Sequence, residues 1–300
     1  MTQSAMASVK GKTVFDLLGE GTAYLKEKGL PSARLETEHL LSASLSCRRI
    51  DLYRNMGKTI TTDEHSRFWK GLKRRAAHEP LQYITGTVTF FGIPLHIRPG
   101  VFIPRPETEL MVEAALKIFP TPKRILDLCT GSGSVALALA THLPSSALIF
   151  AADQDEAALR LAKINIGQFD TAPNIGLFRG NLLEALARKK ELLFDLIVCN
   201  PPYISEADKP ALPRNVRDFE PAAALFADEE GTAIHRRVLS DAPHVLAEEG
   251  RLLLELGAGQ ATWLKQHIES ETGLTVTLIN DWAGIPRIAE IQKLPRSTHG

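Results

Sequence analysis

The chain has 300 residues, no formal net charge, 44% hydrophobic and 23% charged residues, which is ordinary for a soluble globular protein of one large domain or two smaller ones. Zero net charge argues against a protein that holds nucleic acid by neutralising phosphates, and no apolar run approaches the ~18 residues of a membrane span. Three scattered cysteines, Cys47, Cys129 and Cys199, form no C-x-x-C pair, and no apolar leader lies between Met1 and Lys12. Both features fit a cytoplasmic, reducing location without structural zinc.

Residues 13–78 read as helices. Val14, Leu17, Leu18, Tyr24 and Leu25 recur at helical spacing before Gly29 and Pro31, and Leu35, His39, Leu40 and Leu41 begin a second segment. Thr61-Thr62-Asp63-Glu64 matches a capping box ahead of Phe68 and Leu72. Basic residues outnumber acidic ones before residue 84, the mark of a solvated helical surface. No catalytic cluster appears here; His39, His65, His78 and His96 lack partners at metal spacing. Between 84 and 105 the period changes to two, with Val88 and Phe90 alternating before Gly92 and Leu95 and Ile97 after it, which predicts a hairpin. Pro106 suits the first residue of a helix carrying Leu110, Met111, Ala114 and Ile118.

From 124 onward strands and helices alternate. Strands are expected at Arg124–Leu128, Ala147–Ala152, Ile175–Arg179, Leu193–Cys199 and Arg251–Leu256, with helices near 133–142, 155–166, 230–247 and 259–271. This order calls for a parallel sheet covered on both faces. Leu274–Ile279 and Ile285–Gln292 leave no room for a crossover, so the last strand should run antiparallel.

Two stretches carry chemistry. After the first of these strands, Cys129-Thr130-Gly131-Ser132-Gly133 opens a helix, and Asp153 ends the next strand, placed to bond ribose hydroxyls. Read literally, Gly131-x-Gly133-x-x-Ala136 satisfies the dinucleotide fingerprint. The second stretch is Asn200-Pro201-Pro202-Tyr203, closing the apolar run Leu196–Val198. Asn200 and Pro201 both precede a proline and are stiffened. The Asn200 side-chain oxygen and the Pro201 carbonyl can then grip both hydrogens of an –NH2 group, with Tyr203 beside a planar substrate. Hydride transfer has no use for such a pair, whereas transfer of a methyl group from an adenosine-borne donor does. S-adenosylmethionine has no phosphate and needs only the glycine turn, the ribose carboxylate and an adenine slot. Asn181 and Leu182, after the third strand, are placed to form that slot. No general base stands beside the tetrad, Asp195 and Glu206 being its nearest ionisable neighbours in sequence, so catalysis is expected to work by positioning.

These residues resemble the class I methyltransferases, and within them the release-factor glutamine N5-methyltransferases. Asn-Pro-Pro-Tyr alone is shared with adenine-N6 nucleic-acid methyltransferases and ribosomal-protein glutamine methyltransferases. The narrower likeness lies in Pro80–Gly86, Phe90-Phe91-Gly92, Ile103-Pro104-Arg105-Pro106-Glu107-Thr108-Glu109, Phe219-Glu220-Pro221, Leu254-Glu255-Leu256-Gly257 with Gln260, and Asp281–Arg287. Cys129 stands where the family often has Gly, Asn181 where it usually has Asp, and Phe226-Ala227-Asp228 replaces a glycine-rich segment. The resemblance implies a seven-stranded Rossmann-like methyltransferase sheet with an antiparallel last strand. It divides the chain into a helical substrate-docking domain (1–83), a β-hairpin linker (84–105) and a methyltransferase domain (106–300). It implies S-adenosylmethionine held by Cys129, Thr130, Gly131, Ser132, Gly133, Asp153, Asn181, Leu182 and Asn200. The substrate would be the glutamine of the Gly-Gly-Gln loop of class 1 release factors, bound by Asn200, Pro201, Pro202 and Tyr203, with Asn200, Pro201 and Tyr203 catalytic. A monomer without metal, membrane or direct nucleic-acid contact is expected.

Overall fold

The computed structural model describes residues 11–119, 121–170, 174–184, 186, 192–271 and 273–293. The chain divides into two units, one running to Thr87 and including Arg214–Phe219, the other comprising Val88–Pro213 and the chain from Glu220.

In the first unit, helices α1 (Val14–Glu27), α2 (Ala33–Ser44), α3 (Arg49–Arg54), α4 (Thr62–Ala76) and α5 (Leu81–Thr85) follow one another. Thr13 and Thr61 each accept from the backbone three residues on while Asp16 and Glu64 reach back, so both long helices begin in capping boxes. Leu17, Leu18, Leu25, Leu40, Leu41, Phe68 and Leu72 form the core of this unit. The helices approach closely at Gly21, where an added Cβ would lie 2.7 Å from both Phe68 Cζ and Thr37 Cγ2. The period-two reading from residue 84 begins too early. The chain stays helical to Thr85, and Gly86, at φ 77°, ends the helix in the left-handed conformation that glycine adopts without strain.

In the second unit, β1 (Thr87–Phe90) and β2 (Ile93–His96) form a two-stranded sheet, and α6 (Pro106–Ile118) starts with proline at its first position. Then come β3 (Arg124–Leu128), α7 (Ser134–His142), β4 (Leu148–Asp153), α8 (Glu156–Ile166), β5 (Ile175–Arg179), β6 (Phe194–Cys199), α9 (Ala233–Val245), β7 (Leu246–Glu255), α10 (Gln260–Glu271), β8 (Leu274–Asn280) and β9 (Pro286–Lys293). The sheet order is β5-β4-β3-β6-β7-β9-β8, with β9 antiparallel to both neighbours. Strand residues alternate between two cores. Ile125, Leu196, Val198 and Leu253 pack with α6 and α7, while Leu126, Ile197, Leu252 and Leu254 pack with α9 and α10. Burial on both faces explains the unbroken apolar runs. β7 begins at Leu246, earlier than its sequence pattern suggests, because it pairs with β6 at Phe194–Leu246 and resumes at Leu196–Arg251 after a bulge. Among the described residues no helix is long and apolar enough to cross a membrane.

Gly21→Ala should lower the unfolding free energy in urea by about 1–3 kcal/mol, because overpacking outweighs the gain in helix propensity. Gly19→Ala, in the same helix with nothing within 4 Å of the new methyl, should instead gain up to about 1 kcal/mol.

Candidate active site

Sheet order reverses between β3 and β6, and the crevice at the carboxyl ends of such strands is where open α/β sheets take ligands. Leu128 lies opposite Cys199 in the parallel ladder, so the turns leaving β3 and β6 start side by side.

The turn after β3 is held by polar groups. Asp127, 2% exposed, accepts from the Thr130 hydroxyl at 2.6 Å and from the Ala136 N–H at 3.0 Å, tying the loop to the first turn of α7. Burial pushes the Asp127 carboxyl up to about 7 against those two bonds. Gly133, at φ 79°, caps α7, and a Cβ there would meet the Ala162 Cβ at 3.1 Å, so glycine is what lets α7 and α8 approach. Asn165, fully buried in α8, donates to the carbonyls of Ser132 and His96 and accepts from the His96 N–H. Cys129 sits at φ 58°. A glycine would be unstrained there, and the thiol is carried at a backbone cost of order 1 kcal/mol. Asp153 at the end of β4 accepts from Gly131 N–H and Asp155 N–H, each at 2.9 Å, and burial raises its proton affinity. Asn181 gives its amide hydrogen to Glu184 at 2.9 Å, and Leu182 is held at φ 52°.

After β6, Asn200 donates through Nδ2 to Thr108 Oγ1 at 3.0 Å, and among the described residues its oxygen has no partner. Tyr203 is anchored on every side. Its hydroxyl donates to Glu255 Oε1 at 3.2 Å, and its carbonyl accepts from Gln260 Nε2 at 3.0 Å. A Cβ on Gly231 would fall 2.2 Å from that carbonyl oxygen, and one on Gly257 would fall 3.0 Å from the ring. Glycine at both positions therefore makes room for the tyrosine. Burial, followed by the Glu255 charge, raises the phenol's proton affinity.

One cavity of about 330 Å³ gathers most of these groups, a size suited to a small-molecule cofactor. Cys129, Thr130, Gly131, Ser132, Asp153, Asn181, Leu182, Asn200 and Pro202 line it; Gly133, Pro201 and Tyr203 do not, and Pro201 is buried. The Ser132 hydroxyl is buried without a partner among the described residues. Phe102, Pro104 and Thr108 line another part of the cavity. The anchored Asp153 carboxylate, the Ser132 hydroxyl and the apolar Leu182 make a set of groups that fits an adenosine. Among the described residues no cluster of His, Cys, Asp or Glu is placed to hold a metal ion.

Sequence reasoning missed three groups. Glu255 stands beside Tyr203, whereas Asp195 instead accepts from the Lys123 and Arg124 N–H groups at the opposite end of the strands, and Glu206 pairs with Lys209. The carboxyl that touches the tetrad is therefore Glu255, not Asp195 or Glu206. Glu255 is 1% exposed, is pushed up to about 7 by burial, accepts from the Tyr203 hydroxyl at 3.2 Å, and lies near Thr108, whose hydroxyl favours its charged form. Its signal was a lone carboxylate in the apolar run Leu252–Leu256. Thr108 carried no signal beyond its place in a family motif. Glu220, whose side chain is fully buried, pairs with Arg105 and accepts from the Ile103 N–H at 3.3 Å, which pins the loop bearing Phe102 and Pro104. Arg105 also lies 4.8 Å from the centre of the Phe102 ring.

Glu220→Ala should cost about 3 kcal/mol in chemical denaturation, the low end for a broken buried pair because Arg105 keeps some solvent. Glu206→Ala, which removes an exposed pair, should stay within about 0.5 kcal/mol of the parent.

Comparison with known proteins agrees with this geometry. The PrmC N-terminal domain family matches residues 16–86 and the methyltransferase small domain matches 93–216. The release factor glutamine methyltransferase of Geobacter sulfurreducens is 42% identical over 83% of this chain and 86% of that protein. The protein of the same name from Rhodopirellula baltica is 35% identical over 94% and 96%. Among solved structures, the hMettl16 catalytic domain in complex with MAT2A 3'UTR hairpin 6 superimposes with a TM-score of 0.55 at 17% identity, covering 78% of this chain and 82% of that one, a likeness of fold. With its sheet, glycine turn and Asn-Pro-Pro-Tyr corner in place, the chain belongs to the release factor glutamine methyltransferases.

Proposed function

We propose that this chain methylates the side-chain nitrogen (N5) of the glutamine in the Gly-Gly-Gln motif of class 1 peptide chain release factors, acting in the cytoplasm with S-adenosylmethionine as donor. The observation that carries the reading is the free side-chain oxygen of Asn200, beside a cavity suited to an adenosine, with its own nitrogen already engaged by Thr108.

A carboxamide nitrogen is a weak nucleophile because its lone pair is shared with the carbonyl. Bound S-adenosylmethionine supplies an electrophilic methyl group on a sulfonium. The Asp153 carboxylate is preorganised by two backbone donors to accept from ribose hydroxyls. The side-chain oxygen of Asn181 suits an adenine amino group, and Leu182 suits the face of the ring. Ser132 offers a buried hydroxyl that lacks a partner among the described residues. Asn200 and the Pro201 carbonyl accept the two N–H groups of the substrate amide. Their partial negative charge favours the positive charge that builds on nitrogen in the transition state. Fixed orientation of this kind can supply on the order of 7–11 kcal/mol, and the stiff Pro-Pro corner keeps that orientation without cost at the moment of reaction. Pro202 lines the cavity beside Asn200, and the Tyr203 anchor holds the corner from behind.

A purified release factor incubated with the enzyme and S-adenosylmethionine should gain the mass of one methyl group on the peptide bearing Gly-Gly-Gln. An unmodified peptide, or a methyl elsewhere, would overturn the assignment. Asn200→Ala should lower kcat by about 10²–10³-fold with cofactor affinity preserved. Asp153→Ala should weaken binding of S-adenosylhomocysteine by about 10–100-fold in calorimetry, the value of one or two hydrogen bonds to a charged group.

A further inference from the structure

Asn200 serves as an acceptor only while its oxygen, and not its nitrogen, faces the substrate. The two ends of a carboxamide are almost the same size, so packing alone does not choose between them; hydrogen bonding must. Asn200 Nδ2 meets Thr108 Oγ1 at 3.0 Å. A hydroxyl has a single proton and two lone pairs, so the destination of the Thr108 proton decides what Asn200 has to present.

That destination is built into the fold. The Thr108 hydroxyl, 3% exposed, also contacts the Glu255 carboxyl. An ionised carboxylate only accepts. Tyr203 already donates to Glu255 Oε1, while Oε2 is buried with no hydrogen-bond partner among the described residues. When Glu255 is ionised the Thr108 proton is thus drawn toward it, a lone pair is left toward Asn200, and the asparagine answers with its N–H, as the Asn200 Nδ2–Thr108 contact shows. Backbone placement supports the arrangement. Thr108 lies in the first turn of α6, begun by Pro106 and held just upstream by the Arg105–Glu220 pair. Glu255 ends β7, whose neighbour β9 supplies Arg287, the favourable charge facing it.

We propose that Thr108 and Glu255 are positioning residues that set the polarity of the Asn200 carboxamide, and that through it they make the site select an amide over a carboxylate of the same shape. The inference rests on the reading of glutamine as substrate. With Thr108 in place the corner offers two acceptors, which pair with –NH2 and repel –CO2⁻. Without it Asn200 can turn over, donate, and tolerate a carboxylate.

The test uses the full-length enzyme with a release factor carrying Gly-Gly-Gln and with a second carrying Gly-Gly-Glu as inhibitor. Thr108→Val should lower kcat by about 10–100-fold, the size of effect expected when one aimed group is lost, with melting temperature and S-adenosylhomocysteine affinity unchanged. Thr108→Ser, which keeps the hydroxyl, should recover most of the loss. The ratio of Ki for the Gly-Gly-Glu factor to KM for the Gly-Gly-Gln factor should fall about tenfold or more in Thr108→Val, since a site built around specific hydrogen bonds loses discrimination with them. Glu255→Gln, which can donate to Thr108 as well as accept, should shift the same ratio in the same direction. An active wild type whose ratio is matched by both variants overturns this inference alone. A wild type that leaves the Gly-Gly-Gln factor unmethylated overturns the substrate reading beneath it.

Discussion

The parallel pairing of β3 with β6 is the contact on which the site depends. With Leu128 opposite Cys199, the glycine turn and the Asn-Pro-Pro-Tyr corner leave adjacent strands at the same end of the sheet. A slip of one residue along either strand would exchange the two faces and carry the turn away from the corner. Register is secured by burial on both faces, because Leu126, Ile197 and Leu252 belong to one core and Ile125, Leu196 and Leu253 to the other. The ordinary apolar core thus sets the distance between a glycine turn and an Asn-Pro-Pro-Tyr corner that are about 70 residues apart in the chain.

On that frame, a few buried or half-buried polar side chains act as struts. Asn165 ties the glycine turn to the end of β2, Glu220 ties the loop before α6 to Arg105, and Gln260 ties the tetrad's tyrosine to Gly257 and Gly231. Each is nearly saturated with hydrogen bonds. A buried strut left half-satisfied would cost more than an apolar residue in its place, so such groups hold one geometry or none. The Glu255–Thr108 contact differs in one respect. Glu255 keeps an oxygen without a full partner, and burial raises its proton affinity to about 7. A buried carboxyl of this kind is typical of a site that serves function at some expense of stability.

The sequence was legible wherever one local rule governed. The seven strands follow from apolar runs cut by turns, and Pro106 opens α6 where a missing N–H does no harm. The glycine turn, Asp153 and the two prolines after Asn200 announce themselves by residue type. Where two local rules compete the boundaries move: the hairpin begins after Gly86, and β7 reaches back to Leu246 through a bulge. Within the motif Ile103–Glu109, only the helix-starting role of Pro106 was legible. The structure divides it among separate tasks, with Arg105 pairing to Glu220, Pro106 starting a helix, Thr108 facing Asn200, and Glu109 accepting the Phe91 N–H at 2.7 Å.

By itself, then, the sequence determined the order of strands and helices, the conformations demanded by its glycines and prolines, and the chemistry of the groups at the strand ends, because those properties act between residues close in the chain. Tertiary structure alone decided which of those groups meet. Thr108 and Asn200 are 92 residues apart, and Arg105 and Glu220 are 115 apart. The partner of a buried polar group is chosen by the packing of the whole sheet, and no local pattern encodes it.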